Sequence, residues 1–224
     1  MQALTAVVLG ATGLIGEQLV QQLLNDPVFS KVRILVRRQV ELSHPKLEVA
    51  IVNFEHLTEY RQKVGRGDCI FCCIGTTQKQ VKGDKVAYRK VDVDIPVNAA
   101  KIGKDAGFSR YLLVSAVGAD ARSKNFYLRL KGEVEREIGA LNYDSFHAFR
   151  PSILYGNRKE FRLGETIGKG FMKVISVLFI GALQKYKGID SVDVAKAMVA
   201  GAKNDRKGMF VHHYEDIMKL SLFL

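Results

Sequence analysis

The sequence predicts a doubly wound α/β fold, a mainly parallel sheet covered by helices on both faces, and three observations carry the prediction. Short, unbroken apolar runs alternate with longer segments of helical periodicity from the first residues onward, the pattern of strands buried on both faces. A glycine-rich stretch, Gly10-Ala11-Thr12-Gly13-Leu14-Ile15-Gly16, separates the first apolar run from the first helical segment. The chain has 224 residues, 47% hydrophobic and 25% charged. That composition fits one soluble globular domain and excludes wholesale disorder or a fibrous architecture.

Leu4 to Leu9 reads as a buried strand, and Leu19, Val20, Leu23 and Leu24 recur at helical spacing until Asn25, Asp26 and Pro27 stop the helix. Val32 to Val36, Leu47 to Val52 and Asp68 to Ile74 are the next strands, with a short polar helix at Thr58 to Val64 between the last two. Val91 to Ala106 is helical, Pro96 taking a first-turn position or imposing a kink. Tyr111 to Val114 is a strand, Ser123 to Leu141 a long helix and Phe146 to Phe149 a strand. A mixed helical region at Glu160 to Tyr186, a helix at Ser191 to Ala202 and a strand at Met209 to His212 complete the chain. No internal repeat or linker is present. Residues 1–224 are expected to form one domain, with lid elements within about 156–190, and Phe171 to Leu183 is expected as a helix over a substrate cleft.

Lys and Arg total 34 against 23 Asp and Glu, a net charge of +11 that suits a phosphate-bearing partner. The excess is spread through both halves. The densest run, Lys79, Lys82, Lys85, Arg89 and Lys90, reads as a solvated loop or helix face, and no basic segment is long enough to expect nucleic-acid binding. The apolar opening is interrupted by glycines, and Phe171 to Leu183 is too short to span a bilayer. The expectation is a cytoplasmic protein without membrane association. Cys69, Cys72 and Cys73 fall in one predicted strand, which favours buried thiols over a redox pair, and His212 and His213 on a strand point to opposite faces. No metal site is expected.

The glycine loop stands where a phosphate-binding turn must stand. Glycines let the backbone approach a pyrophosphate, and the following helix offers free N–H groups and a partial positive charge. Gly10, Thr12, Gly13, Leu14, Ile15 and Gly16 are therefore candidate dinucleotide contacts. An acidic residue about 20 positions further on would select NAD. This chain instead has Arg37 and Arg38 at the end of its second strand, whose guanidinium groups suit a ribose 2′-phosphate, so NADP (NADPH) is expected over NAD.

Tyr127 and Lys131 are four residues apart on one helical face, and Ser115 ends an apolar strand 12 residues earlier. With the Gly10/Gly13/Gly16 loop, this set resembles the short-chain dehydrogenase/reductase superfamily. The stretches Leu113-Val-Ser-Ala-Val-Gly-Ala119 and Phe126-Tyr-Leu-Arg-Leu-Lys-Gly-Glu133, with Arg150-Pro151-Ser152 and Tyr155-Gly156, are most similar to its atypical Tat-interacting-protein-like oxidoreductases. The resemblance implies a Rossmann-type fold and a catalytic set of Ser115, Tyr127 and Lys131. Tyr127 would exchange a proton with the substrate oxygen as hydride moves. Lys131 would stabilise the phenolate, since a free tyrosine pKa near ~10 is too high for an efficient base, and would bond the nicotinamide ribose. Ser115 would donate to the carbonyl oxygen. Pro151 and Ser152 would flank the nicotinamide, and Gly75 and Thr76 the adenosine and pyrophosphate half.

The sequence departs from that pattern in two places. Asn53 stands where many relatives carry an Asp near the adenine, and Asn98 is an uncertain counterpart of the family's catalytic Asn. The expected function is an NADPH-dependent oxidoreductase acting on a small carbonyl. The alternatives are an NADP(H)-binding regulator with a protein partner and little turnover, or a nucleotide-sugar epimerase or dehydratase. The oligomeric state, monomer or homodimer, stays open.

Overall fold

Strands sealed on both faces need no polar alternation, and in the computed structural model, which describes residues 3–155 and 186–223, the apolar runs form strands that are sealed in the middle of the sheet and partly exposed at its two edges. They are β1 (Leu4–Leu9), β2 (Phe29–Val36), β3 (Leu47–Ile51), β4 (Cys69–Cys72), β5 (Arg110–Val114), β6 (Ser145–Phe149) and β9 (Gly208–His212), with a separate pair β7 (Leu154–Tyr155) and β8 (Ile189–Asp190). The helices are α1 (Leu14–Asn25), α2 (Leu57–Val64), α3 (Lys85–Arg89), α4 (Ile95–Asp105), α5 (Phe126–Gly139), α6 (Ser191–Lys203) and α7 (Tyr214–Ser221). A π-helical turn, Lys90–Asp94, joins α3 to α4. The described residues of the main sheet run in the order β3-β2-β1-β4-β5-β6-β9, every neighbour parallel.

Alternate residues of each strand feed opposite faces. Ala6 and Val8 of β1 join the core under α1, α6 and α7, while Val7 and Leu9 join the core under α2, α4 and α5. Helix α1 buries Ile15, Leu19, Val20, Leu23 and Leu24 and ends at Asp26, next to a proline that cannot extend it. Asp26 also anchors the far end of the chain, accepting an ion pair from Lys203 at 2.8 Å.

The expected strands and long helices are present with bounds moved by one to three residues. Differences cluster in the middle of the chain. The helix containing Pro96 begins earlier, at Lys85, and the irregularity is the π turn ahead of Pro96, which sits in the first turn of α4. Hydroxyls of Tyr60 and Tyr111 take the Ile95 and Pro96 carbonyls at 3.1 and 2.9 Å and fix this junction. Part of the basic run thus forms α3, whose Arg89 pairs with Glu133, and Lys90, opening the π turn, pairs with Glu55. Helix α7 and the β7–β8 pair were not expected. The proposed lid helix, Phe171 to Leu183, lies outside the described residues.

Candidate active site

The strand order reverses between β1 and β4, because the chain leaves β1 for β2 on one side and returns to β4 on the other. Such a switch point opens a crevice at the carboxyl ends of the strands. The β1–α1 turn closes its floor. Gly10 has φ +77, and a Cβ there would lie 2.7 Å from the Cys73 carbonyl group, so only glycine lets the turn pack against the end of β4. A Cβ on Gly16 would be driven into the Gly10 carbonyl. Gly13 is the N-cap of α1 and contributes no capping side chain, so the helix presents its first turn to the crevice. A pyrophosphate fits that arrangement.

Residues far apart in sequence converge at one end of this crevice. Leu14, Ile15, Gly75, Thr76, Ser115, Tyr127, Lys131, Pro151 and Ser152 all line a cavity of about 100 Å³. Helix α5 puts Tyr127 and Lys131 on the same face, the Lys131 Nζ 5.9 Å from the Tyr127 ring centre. Asn125 caps α5 by accepting the Leu128 amide at 3.1 Å, which sets where that face begins. Beside this cavity a larger one, about 860 Å³, is bordered by Arg37, Val52, Asn53, Phe54, Lys90 and Asn98. Arg37 and Arg38 are both exposed, but Arg38 does not border it. The two cavities follow β2, β3 and β4 round their carboxyl ends, a layout that fits a nicotinamide end by Tyr127 and an adenosine end by Arg37.

Two buried carboxylates had no place in the sequence reading. Asp92, from the π turn, sits 3.1 Å from the Lys131 ammonium, their side chains 1% and 5% exposed. Its second oxygen accepts the Thr76 amide at 2.8 Å. Burial works against the Lys131 charge, and Asp92, with Tyr127 and Cys72, more than offsets it, so lysine is held protonated above its ordinary range. Asn98, the residue weighed from sequence, borders the larger cavity instead. The signal that could have found Asp92 is an acidic residue inside the apolar run Val91-Asp92-Val93.

Glu135, one turn beyond Lys131, is 3% exposed. It accepts the Ser115 hydroxyl and two bonds from Arg150, one of them from Nε at 2.9 Å. Ser115 therefore donates its hydroxyl to Glu135 in this arrangement. Ser152 donates its hydroxyl to the Lys187 carbonyl.

Two of the three cysteines are buried thiols, as read from the sequence, and Cys73 is partly buried. Cys69 and Cys72 are sealed in β4, and burial pushes the Cys69 thiol up to about 12. His213 caps α7 while His212 faces His147. Among the described residues no three potential ligands gather round a metal position, and no helix is long and apolar enough to cross a membrane.

Fold and crevice together define a dinucleotide-binding protein of the Rossmann type. The profile of a family described as NAD(P)H-binding matches residues 10–149, and the chain belongs to that family, within the atypical short-chain dehydrogenases/reductases. It is 35% identical over 174 residues to Protein HTATIP2 of Rattus norvegicus, covering 76% of this chain and 71% of that protein. It is 37% identical over 181 residues to Protein FMP52, mitochondrial, of Eremothecium gossypii, covering 80% and 76%. Among solved structures it resembles the Bordetella bronchiseptica enzyme WbmH in complex with NAD+, with a TM-score of 0.70 at 15% identity over 94% of this chain and 75% of that one. A UDP-N-acetylglucosamine 4-epimerase from Methanobrevibacter ruminantium gives 0.68 at 18% identity over 95% and 77%. Likeness at that identity concerns the fold alone.

Proposed function

We propose that the protein is an NADPH-dependent oxidoreductase that reduces a small carbonyl substrate, with Tyr127 as the proton donor. The observation that carries the reading is the convergence of Ser115, Tyr127 and Lys131 on one cavity with the Gly75–Thr76 and Pro151–Ser152 segments. When bound there, NADPH supplies the hydride. Tyr127 gives its phenolic proton to the substrate oxygen as negative charge develops on it. Lys131 stabilises the phenolate left behind and reaches the cofactor ribose. Ser115, its own proton directed to Glu135, accepts from the tyrosine or from the product hydroxyl. Proton delivery then falls to Tyr127 alone.

NADPH oxidation by the purified protein against a panel of aldehydes, ketones and quinones tests this. Turnover should fall about 10³-fold in Tyr127→Phe, the scale of a lost general acid, with NADPH affinity changed little. A variant as active as the parent would refute the assignment. Tight NADPH binding with no turnover on any substrate would point to the regulatory alternative. The cofactor preference rests on Arg37 at the adenosine-side cavity. Arg37→Ala should weaken NADPH about tenfold and leave NADH nearly unchanged, as expected for one lost charge-assisted phosphate contact. Equal losses for both would remove the basis for choosing NADP. The sequence reading places the chain in the cytoplasm, whereas the FMP52 relatives are named mitochondrial. Cell fractionation decides between the two compartments.

A further inference from the structure

Lys131 carries its charge in the wall of the cleft, out of water, where an ammonium needs a fixed counter-charge. Asp92 is that counter-charge by position: Oδ1 lies 3.1 Å from Nζ. Oδ2 is tied to the Thr76 amide at 2.8 Å, so the carboxylate is anchored to the segment after β4 and cannot follow the lysine if it moves. Oδ1 is buried, and its hold on Lys131 is chiefly one of charge.

The other groups around the ammonium are of different kinds. Tyr127 lies on the same face of α5. Cys72 and Cys73, at the end of β4, are thiols that burial pushes up. Ser115, at the end of β5, gives its proton to Glu135, and Arg150 matches that carboxylate. Tyr88, from α3, donates to the Thr76 carbonyl at 2.9 Å. Among the described residues Asp92 is the carboxylate in ion-pair contact with Lys131.

We propose that Asp92 is a positioning residue for the Tyr127–Lys131 pair, fixing the Lys131 ammonium in the cleft as its dedicated counter-charge. The proposal rests on the roles given to Tyr127 and Lys131 above. Its consequence follows from the balance at Lys131, where burial is the largest influence and opposes the charge, and Asp92, first among the groups that favour it and joined by Tyr127 and Cys72, tips the balance. Without the carboxylate burial dominates, and the lysine falls below its usual value of about 10.4. The paired lysine stays charged as pH rises, whereas the unpaired one loses its proton and with it the field that favours a Tyr127 phenolate.

The test uses the full-length protein labelled with ε-¹³C-lysine, with the Lys131 signal assigned through K131M. In the parent, Lys131 should show no titration up to the alkaline limit of folding. In D92N its apparent pKa should fall by about two units or more relative to the parent, and D92E should restore most of the difference. Identical titrations in D92N and the parent would overturn the proposal. This readout requires no turnover, so a protein that reduces no carbonyl would sink the oxidoreductase reading without touching this one. On any substrate found, kcat of D92N should fall at least tenfold more than that of the parent as pH passes the new lysine pKa. A loss equal at every pH would mark Asp92 as merely structural and overturn the positioning role. Should D92N fail to fold, D92N/K131M decides: recovered folding shows that the uncompensated lysine was the defect, and a double variant no more stable than D92N overturns the proposal.

Discussion

Two polar clusters are buried against the same sheet, and they are kept in opposite charge states. At the cleft, Lys131 with Asp92 and Arg150 with Glu135 keep full charges out of water by giving each an opposite partner within 3.1 Å. Between β6 and β9, His147 Nδ1 and His212 Nε2 approach to 2.8 Å, with Ser145 Oγ 2.8 Å from the other nitrogen of His147. Phe149 and Phe210 stack on these rings. Among the described residues no carboxylate pairs with these two rings directly. Burial pushes His147 down to about 3, helped by His212, Arg206 and Arg110, and His212 down to about 4, with Asp216 opposing and Arg206 adding to the fall. The imidazoles are thus neutral near pH 7. Where the fold needs only packing it buries neutral rings that satisfy one another. It keeps buried charges beside the residues proposed to move a proton.

The sharpest way to break the contrast is to remove one partner from the charged side. Glu135→Gln leaves Arg150 without its carboxylate and Ser115 without its acceptor, and it should cost about 3 kcal/mol in urea unfolding, the scale of a broken buried pair. A loss under 1 kcal/mol would show that water replaces the carboxylate and that the network is not a sealed one.

Acid should break the neutral side. The folded pKa values of His147 and His212 lie below the unfolded value near 6.5, so the unfolded chain binds more protons between those values. The stabilisation is complete above about pH 6.5 and is lost as pH falls through the window down to about 3 or 4. Each histidine should give up about 3 kcal/mol between pH 7 and pH 4, and replacing both with phenylalanine should flatten that slope. An unchanged slope would assign the acid sensitivity to the carboxylates.

The smallest effect belongs outside both clusters. Arg61 and Asp105 pair at 2.9 Å with both side chains more than half exposed. Arg61→Ala should change stability by less than about 0.5 kcal/mol, because water and salt screen the pair. A larger loss would mean that pairing itself, rather than burial, sets the energetics.

Most of the scaffold was legible in the chain because its signals are local. Strand-like runs such as Leu4 to Leu9, a helix stopped by Pro27 and a glycine turn between them each depend on neighbours a few residues away. The cleft residues Ser115, Tyr127 and Lys131 were found because two of them share a helical face and the third ends a strand. Asp92 and Glu135 were missed because their partners are remote. Asp92 to Lys131 is 39 positions along the chain and Glu135 to Arg150 is 15, and no spacing rule links a π turn to α5 or a helix to the loop after β6. His147 escaped for the same reason, since its partner is 65 residues away.

The sequence by itself determined the doubly wound sheet, the glycine turn between β1 and α1 and the identity of the residues on the cleft's helical face, all of them consequences of short-range periodicity and glycine's backbone freedom. Tertiary structure alone decided the protonation and hydrogen-bonding state of those residues. Whether Lys131 keeps its charge, where the Ser115 proton goes and why His147 stays neutral depend on burial and on partners that only folding brings within 3 Å or so of one another. The net charge of +11 is a property of composition. The pairing of Lys131 with Asp92, buried and anchored to Thr76, is a property of the fold.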